Sequence, residues 1–215
     1  MKPAIVEAPA LGEGWLAVSR EILEAGTDAT WGGAPTREVA LLTLVVERPD
    51  SRDRLIAELG DPEWLDWMHR NFFVHEEVPE LGLARSYAQR LFDYGGSGRD
   101  QIAWVLERLR ADPECRDATI TTFEPLTDTA YIPCVSMLDF WLRERAVELV
   151  VYAHSLDFGK KAYGNLVELA HLQEHVAGEL EATVGRLIVH VKTAHIYEPE
   201  LDAMRELAAQ PSATG

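Results

Sequence analysis

The chain has 215 residues, of which 47% are hydrophobic and 26% are charged, and it carries a formal net charge of −16. This length and composition predict a single folded domain, residues 1–215, with a substantial core and no extensive disorder. Because an acidic surface repels phosphate backbones and anionic lipid headgroups, the charge excludes non-specific binding of nucleic acid or membranes.

The first part of the sequence predicts one helix and then one long strand. Residues 11–25 have the apolar spacing of a helix, and Gly26 is typical of a residue that ends one. Residues 27–36, "TDATWGGAPT", indicate a loop, because turn formers dominate them. The apolar run at 37–49 predicts a strand that Pro49 closes.

Helices are expected next. One is predicted to begin with Ser51 as its N-cap, and another with Asp61 as N-cap and Pro62 in the first turn. Residues 74–86 form an acidic connection, and the glycines of "DYGGSG" indicate a flexible break. A further helix is expected over 99–111, where the apolar residues lie on one face.

The pattern then changes to strands. They are expected in "DATITTFEP", "CVSMLDFWL" and "VELVVYAHS", and the short link "RERA" predicts a hairpin between the last two. A helix over 161–180 follows, and Gly185 is expected to end the connection to the last strand, "RLIVHVKTAHIY". A short helix over 199–209 and a loose tail over 210–215 complete the prediction of an α+β domain.

The sequence has no apolar run near 18 residues and no signal-peptide core, so neither a membrane span nor secretion is expected. Its two cysteines, Cys115 and Cys134, form no Cys-x-x-Cys pair and no disulfide framework. We therefore expect a reducing, cytoplasmic compartment and no metal.

Polar side chains collect at the ends of apolar segments in the C-terminal half. They are His154, Ser155, Asp157, Asn165, His195 and Tyr197. Polar groups at neighbouring strand ends often line one cleft, and their burial costs free energy unless a partner or ligand satisfies them. The alternative is that each residue only caps a strand or a turn.

Cys134 follows Pro133 at the start of an otherwise apolar strand. A lone cysteine in a strand is usually a buried packing residue. The flanking proline and the polar residues that follow in order favour a nucleophile instead, whereas Cys115, in a loop between a helix and a strand, is expected to be a packing residue.

These motifs, in this order, resemble the thymidylate synthase and pyrimidine hydroxymethylase family. That family has a Pro-Cys pair opening a strand, a Ser-x-Asp after a hairpin, an Asn at a helix start and a His-x-Tyr at a later strand end. Upstream, "DPECRD" resembles the family segment that places Arg116, and "SYAQRL" resembles the one that places Tyr87. The resemblance is best over residues 85–200.

The resemblance implies a thymidylate synthase-like fold, in which helices flank a mixed twisted β-sheet, and a homodimer in which Arg116 reaches the partner's site. It also implies one-carbon transfer to carbon 5 of a pyrimidine nucleotide or nucleoside, with 5,10-methylenetetrahydrofolate as donor. A Cys134 thiolate would add to carbon 6, and the resulting enolate would attack the donated carbon.

The resemblance also implies substrate-binding roles. Asn165 would hold the base edge and favour uracil over cytosine, because a cytosine amino group would prefer a carboxylate. Asp157 would bind the ring, and His195 and Tyr197 would hold a sugar hydroxyl.

Removal of the carbon-5 proton requires further groups. Tyr87 and a carboxylate with ordered water would do this, and Glu58 is the candidate carboxylate because it lies in the helix after the first strand. The alternative for Glu58 is a solvated acid on a helix surface.

The phosphate site departs from the family pattern. Arg116 and Ser155 are retained, but His154 and Asp117 stand where the family has arginines. Lost cations weaken phosphate binding, so the substrate is expected to be a nucleoside, an altered nucleotide or a monoester held by another group. Candidates for that group are Lys160, Lys161 and Lys192. If His154 helps to ionise Cys134, activity is expected to fall as the pH rises through the histidine pKa.

Only 18 residues follow Tyr197, fewer than in the family. A different closure over folate would admit water, which favours hydroxymethylation over methylation and points to specialised metabolism. Two alternatives stay open. One is folate-independent exchange or decarboxylation at carbon 5 through the same cysteine, and the other is a non-catalytic nucleotide-binding or partner protein on this scaffold.

Overall fold

A mixed eight-stranded sheet runs through the computed structural model, which describes residues 3–74, 78–82, 84–128 and 132–209. The strands are β1 (Ala4–Ala8), β2 (Thr27–Trp31), β3 (Ala34–Val46), β4 (Thr119–Thr121), β5 (Val135–Arg143), β6 (Ala146–Ala153), β7 (Leu156–Asp157) and β8 (Thr183–Tyr197). The helices are α1 (Leu11–Ala25), α2 (Arg54–Leu59), α3 (Pro62–Phe73), α4 (Tyr87–Phe92), α5 (Gln101–Ala111), α6 (Ala162–Glu179) and α7 (Leu201–Ala208). Short 3₁₀ turns occupy 79–81 and 198–200.

The strand order is β1-β3-β8-β6-β5-β4, with β2 paired to β3 and β7 paired to β8. β8 is antiparallel to β3 and parallel to β6, and α6 makes the crossover between β6 and β8. This arrangement confirms the predicted α+β class with a mixed sheet and flanking helices.

One face of the sheet carries the core. Strand β6 alternates, and Val147, Leu149 and Val151 are fully buried on the side where α1 and α6 pack. The outward residues of β5 and β6 include Trp141 and Tyr152, which are 41% and 38% exposed. In the described part of the chain, no helix has the length and apolar character needed to cross a bilayer.

Several local predictions are confirmed. Helix α1 ends at Gly26, whose N–H donates to the Ile22 carbonyl over 3.0 Å. Asp61 caps α3 by accepting from the Glu63 N–H over 2.9 Å. The β5–β6 hairpin forms as predicted, with Glu144 and Arg145 at φ values of 50° and 65° in its two-residue turn.

Two predictions in the first half are wrong. Residues 27–36 form the β2–β3 hairpin instead of a loop, because Gly32 and Gly33 adopt φ values of 57° and 85° and allow a tight turn. Ser51 does not cap α2. Asp53 caps it by accepting from the Ile56 N–H over 3.0 Å, and Ser51 instead donates to Glu174.

The second half differs at two points. Gly185 lies inside β8 and does not end the connection, and a Cβ there would lie 3.0 Å from the Val147 carbonyl oxygen. Helix α4 was not predicted, and "DYGGSG" forms a turn closed by pairing of Tyr94 with Arg99. The tail over 210–215 and parts of the 74–86 connection lie outside the described residues.

Candidate active site

A cavity of about 1060 Å³ opens at the edge of the sheet where β6 and β8 end and β5 begins. Eight of the predicted site residues line it: Tyr87, Cys134, His154, Ser155, Asp157, Asn165, His195 and Tyr197. The parallel pairing of β6 with β8 carries their carboxyl ends to the same edge, which is why residues far apart in sequence meet here.

Cys134 lies immediately before β5, and its carbonyl accepts from the His154 N–H over 3.1 Å. Burial raises the pKa of the Cys134 thiol, the positive charge of Lys161 opposes that rise, and Asp157 adds to it. The resting cysteine is therefore a thiol, with Lys161 as the cation that favours its ionisation.

Tyr87 is fixed beside the cysteine. Its hydroxyl accepts from the Val135 N–H over 3.0 Å, and its own N–H donates to Asn71 Oδ1 over 3.1 Å. The Phe72 ring stacks on it with a centroid separation of 4.3 Å. This packing places the phenol one residue along the backbone from Cys134.

His154 pairs with Ser136 through its Nδ1, 3.1 Å from the serine Oγ. Burial, and then the charge of Lys192, lowers its pKa below the ordinary 6.5. The histidine is therefore mostly neutral at pH 7. The expectation that it acts as a cation near neutral pH needs correction, since any fall in activity from its deprotonation belongs in the acidic range.

His195 and Tyr197 meet edge to face, with ring centroids 5.0 Å apart. His195 Nδ1 lies 3.2 Å from Ser155 Oγ, and burial lowers the pKa of the imidazole. Its Nε2 is buried and has no hydrogen-bond partner among the described residues. A buried polar atom without a partner is costly, so this nitrogen is available for a ligand hydroxyl.

Asp157 is the acidic residue among those lining the cavity. Its Oδ1 accepts from the Gly159 N–H over 3.0 Å. Burial, with repulsion from Glu200, raises its pKa to about 6. A carboxyl group with that pKa exchanges a proton readily near neutral pH.

The raised pKa of Asp157 predicts a pH-dependent stability difference for Asp157→Asn. In the folded chain the pKa is about 6 against an ordinary 3.8, so the neutral form is favoured and stability is lost as the pH rises from about 4 past 6. Asparagine does not ionise. We therefore expect the free energy of unfolding of Asp157→Asn at pH 8 to exceed that of the wild type by up to about 3 kcal/mol. Urea unfolding at pH 4.5 and pH 8 measures this. If the variant and the wild type differed in free energy of unfolding by the same amount at both pH values, the prediction would be wrong. Glu107→Gln, on the exposed side of α5, is the matched control.

The sequence did not single out Trp67 and Asn71 of α3, although both line the cavity and are buried. The sequence does contain a pattern that could have identified Asn71 as a candidate site residue. It is a polar residue on the apolar face of a helix, four residues after Trp67. Lys161 and Lys192, named only as possible phosphate ligands, also line the cavity. Lys160 is not among the lining residues, and its Nζ lies 4.9 Å from the Trp64 ring centroid.

Two predicted residues lie elsewhere. Glu58 is on the exposed side of α2, and Arg116 is exposed after α5; neither is among the residues that line the cavity. Asp117, which stands at a family arginine position, forms an ion pair with Arg108 at 2.9 Å. The cationic side chains that reach this cavity are therefore lysines.

Comparison with known proteins gives one consistent family. The family model described as thymidylate synthase matches residues 44–214. A protein of Methanothermobacter marburgensis named "Putative thymidylate synthase" is 29% identical over 212 residues, covering 92% of this chain and 94% of its own. One of the same name from Methanosarcina mazei is 30% identical over 178 residues, with 81% and 80% covered. The "Thymidylate synthase" of Mycoplasma genitalium is 25% identical over 176 residues, with 73% and 61% covered.

Proposed function

The chain belongs to the thymidylate synthase family and is a one-carbon transferase, and from that premise we propose that it transfers a methyl or hydroxymethyl group to carbon 5 of a pyrimidine nucleotide or nucleoside. The observation that supports this most is the convergence of Cys134, Asn165 and Asp157 on one cavity from three separate elements. We further propose that residues 1–215 form one domain.

Covalent activation of the pyrimidine falls to Cys134. Its thiolate adds to carbon 6, which makes carbon 5 nucleophilic. Lys161 stabilises the thiolate, and it takes the place of the arginine that the family has at position 154. Asn165, whose Nδ2 donates to the Lys161 carbonyl over 3.0 Å, is held on the first turn of α6 to bind the base edge and select uracil.

Proton removal from carbon 5 falls to Tyr87 and Asp157. Asp157 takes the role predicted for Glu58, because it lines the cavity and has a pKa of about 6, whereas Glu58 faces solvent. A base with a pKa close to the working pH is the most effective one. The cysteine then leaves carbon 6 as the ring regains its double bond.

The family uses methylenetetrahydrofolate, which supplies the one-carbon unit when bound. The cavity has room for such a donor, since its volume of about 1060 Å³ lies just above the range of roughly 300–1,000 Å³ for small-molecule sites. Trp67 presents an indole Nε1 that is buried and has no hydrogen-bond partner among the described residues. Trp67 and Trp31 can therefore hold a second flat ring beside the base, with Trp67 donating one hydrogen bond.

The test is tritium release from carbon-5-labelled uracil and cytosine nucleosides and monophosphates, with and without methylenetetrahydrofolate. We expect release that requires folate and is fastest in the uracil series. Mass spectrometry of the product separates a methyl from a hydroxymethyl group. Release without folate would instead identify exchange or decarboxylation chemistry, and no release from any substrate would favour the non-catalytic binding protein.

A homodimer is part of the same proposal. The helices cover one face of the sheet, while Met137, Trp141 and Tyr152 project from the other face and are 38–41% exposed. Met137 and Tyr152 also line the cavity, so a second copy on this face would complete its rim. Such a partner would bring Arg116 toward the substrate, as the family resemblance implies. A cytoplasmic location fits the two free thiols, Cys115 and Cys134.

The dimer predicts a specific effect of Trp141→Glu. We expect the wild type to sediment at twice its chain mass of 24.0 kDa and the variant to sediment as a monomer, because burying a charge in an interface that is apolar in the wild type opposes association. Trp104→Glu on α5 is the matched control, since Trp104 is 44% exposed and lies off the sheet. Analytical ultracentrifugation measures the mass of the wild type and of both variants in solution. A monomeric wild type would contradict the proposal.

A further inference from the structure

Three potential metal ligands meet between α3 and α6, and none of them is among the residues that line the cavity. They are His69 of α3 and Glu168 and His171 of α6, and their ligating atoms all lie within 4.8 Å of one another. Glu168 Oε2 is 3.2 Å from His69 Nδ1 and 3.7 Å from His171 Nδ1. Tetrahedral ligands on zinc, with bonds of 2.0–2.2 Å, lie roughly 3.3–3.6 Å apart.

The surroundings of the cluster fit ligation. The Glu168 side chain is only 4% exposed, and its hydrogen-bond and ion-pair contacts within the described residues are to the two imidazoles. The rings of His69 and His171 stack at 5.7 Å, and Phe73 packs against both at 5.4 Å and 4.9 Å. Each imidazole is about half exposed, so one side of the cluster is open to water.

We propose that His69, Glu168 and His171 bind a divalent transition-metal ion, zinc by the nature of the donors, with water as the fourth ligand. Two imidazoles and one carboxylate suit zinc, whereas calcium and magnesium take oxygen ligands. The ion would join α3, which carries Trp67 and Asn71, to α6, which carries Asn165. It would therefore fix the two helices that form one wall of the active-site cavity, without taking part in the chemistry.

No metal is predicted from the sequence, and a separation of 99 residues between His69 and Glu168 does not indicate a shared site. Only the packing of α3 against α6 brings them together. The spacing of Glu168 and His171, three residues apart on one helix, places both on the same face.

The experiment is calorimetric titration of zinc chloride into the untagged, chelator-stripped full chain, with cobalt absorption as a second readout. We expect one zinc ion per chain, and at least tenfold weaker binding for His69→Ala and for His171→Ala. His175→Ala, an exposed histidine on the same helix, is the matched control and should bind as the wild type does. Cobalt should give the intense visible bands of a tetrahedral site in the wild type and in His175→Ala, and these bands should be lost in His69→Ala and in His171→Ala.

Three results would overturn the inference. They are no saturable zinc binding, binding that His69→Ala leaves unchanged, or binding that His175→Ala abolishes. The last would place the metal on a pair of histidines one turn apart on α6 and not between the helices. Circular dichroism of each variant tests whether it is folded. We expect each variant to be folded, because the replaced histidines are about half exposed.

Discussion

Replacement of Cys134 by alanine is expected to lower folate-dependent tritium release by on the order of 10⁴-fold or more, since removal of a covalent nucleophile disables the whole reaction. The variant should also lose the covalent adduct that the wild type forms with a 5-fluoropyrimidine nucleotide. Intact-protein mass spectrometry measures the adduct directly. Cys134 lines the cavity, so the ligand reaches it without rearrangement of the core.

Cys115→Ala is the matched control for this prediction. Cys115 is buried at 4% exposure and is not among the residues that line the cavity, so its variant should keep both the adduct and most of the activity. Lys161→Met is expected to have an effect between those of Cys134→Ala and Cys115→Ala. Loss of the cation raises the pKa of Cys134 further, and we expect release at pH 7 to fall by about tenfold and thiol alkylation to shift to higher pH. An adduct in Cys134→Ala would refute the assigned nucleophile.

The second large effect is on stability. Arg90 is 1% exposed, and its guanidinium donates to both carboxylate oxygens of Asp128 at 2.8 Å and 2.7 Å and to the Thr122 carbonyl at 2.8 Å. Burial acts to raise the pKa of Asp128, but Arg90 and the Glu124 N–H outweigh it and hold the pKa below its ordinary value. Arg90→Met would leave a buried carboxylate without its cation, and we expect a loss of about 3–5 kcal/mol in the free energy of unfolding.

Urea unfolding of three variants tests this. Arg90→Met/Asp128→Leu should recover much of the loss, because no unpaired charge is then buried. Arg205→Met removes a 57% exposed arginine from an ion pair with Asp202 and should change stability by less than about 1 kcal/mol. Equal losses in Arg90→Met and Arg205→Met would contradict the argument.

The Arg90 pair also bears on the active site. Thr122, whose carbonyl Arg90 holds, donates its N–H to the Ser136 carbonyl over 3.1 Å and its hydroxyl to the Val135 carbonyl. These bonds fix the start of β5, next to Cys134. We therefore expect Arg90→Met to lose activity even below the denaturant concentrations that unfold it.

Local rules predicted those elements whose signals lie within a few residues. The Asp61-Pro62 start of α3 and the β5–β6 hairpin are of this kind. The β2–β3 hairpin lies where the sequence predicts a loop, because Gly32 and Gly33, which are typical of a loop, also satisfy a two-residue turn. Ser51 and Asp53 are both acceptable caps, and only the tertiary bond from Ser51 to Glu174 decides between them.

The candidate site was predictable from the family motifs of the C-terminal half, whereas Arg116, which an upstream motif placed, does not line the cavity. Cys134, Asn165 and His195 were placed from the order of motifs, and they share one cavity. Glu58 is predicted only from its position in the helix after the first strand, where the family has its glutamate, and in the structure it lies on the exposed side of α2. Charge states were not accessible from sequence, since the neutral form of His154 depends on its burial and on Lys192.

Burial of Cys134 has a consequence for the lifetime of the enzyme. Oxidation by peroxide begins with the thiolate, and a raised pKa keeps that form scarce in the resting protein. The proposed nucleophile is thus protected from oxidation to sulfenic and sulfinic acid between turnovers. A bound substrate would react with the Cys134 thiolate and would also cover the sulfur. We therefore expect the thiolate to be accessible to oxidants only briefly.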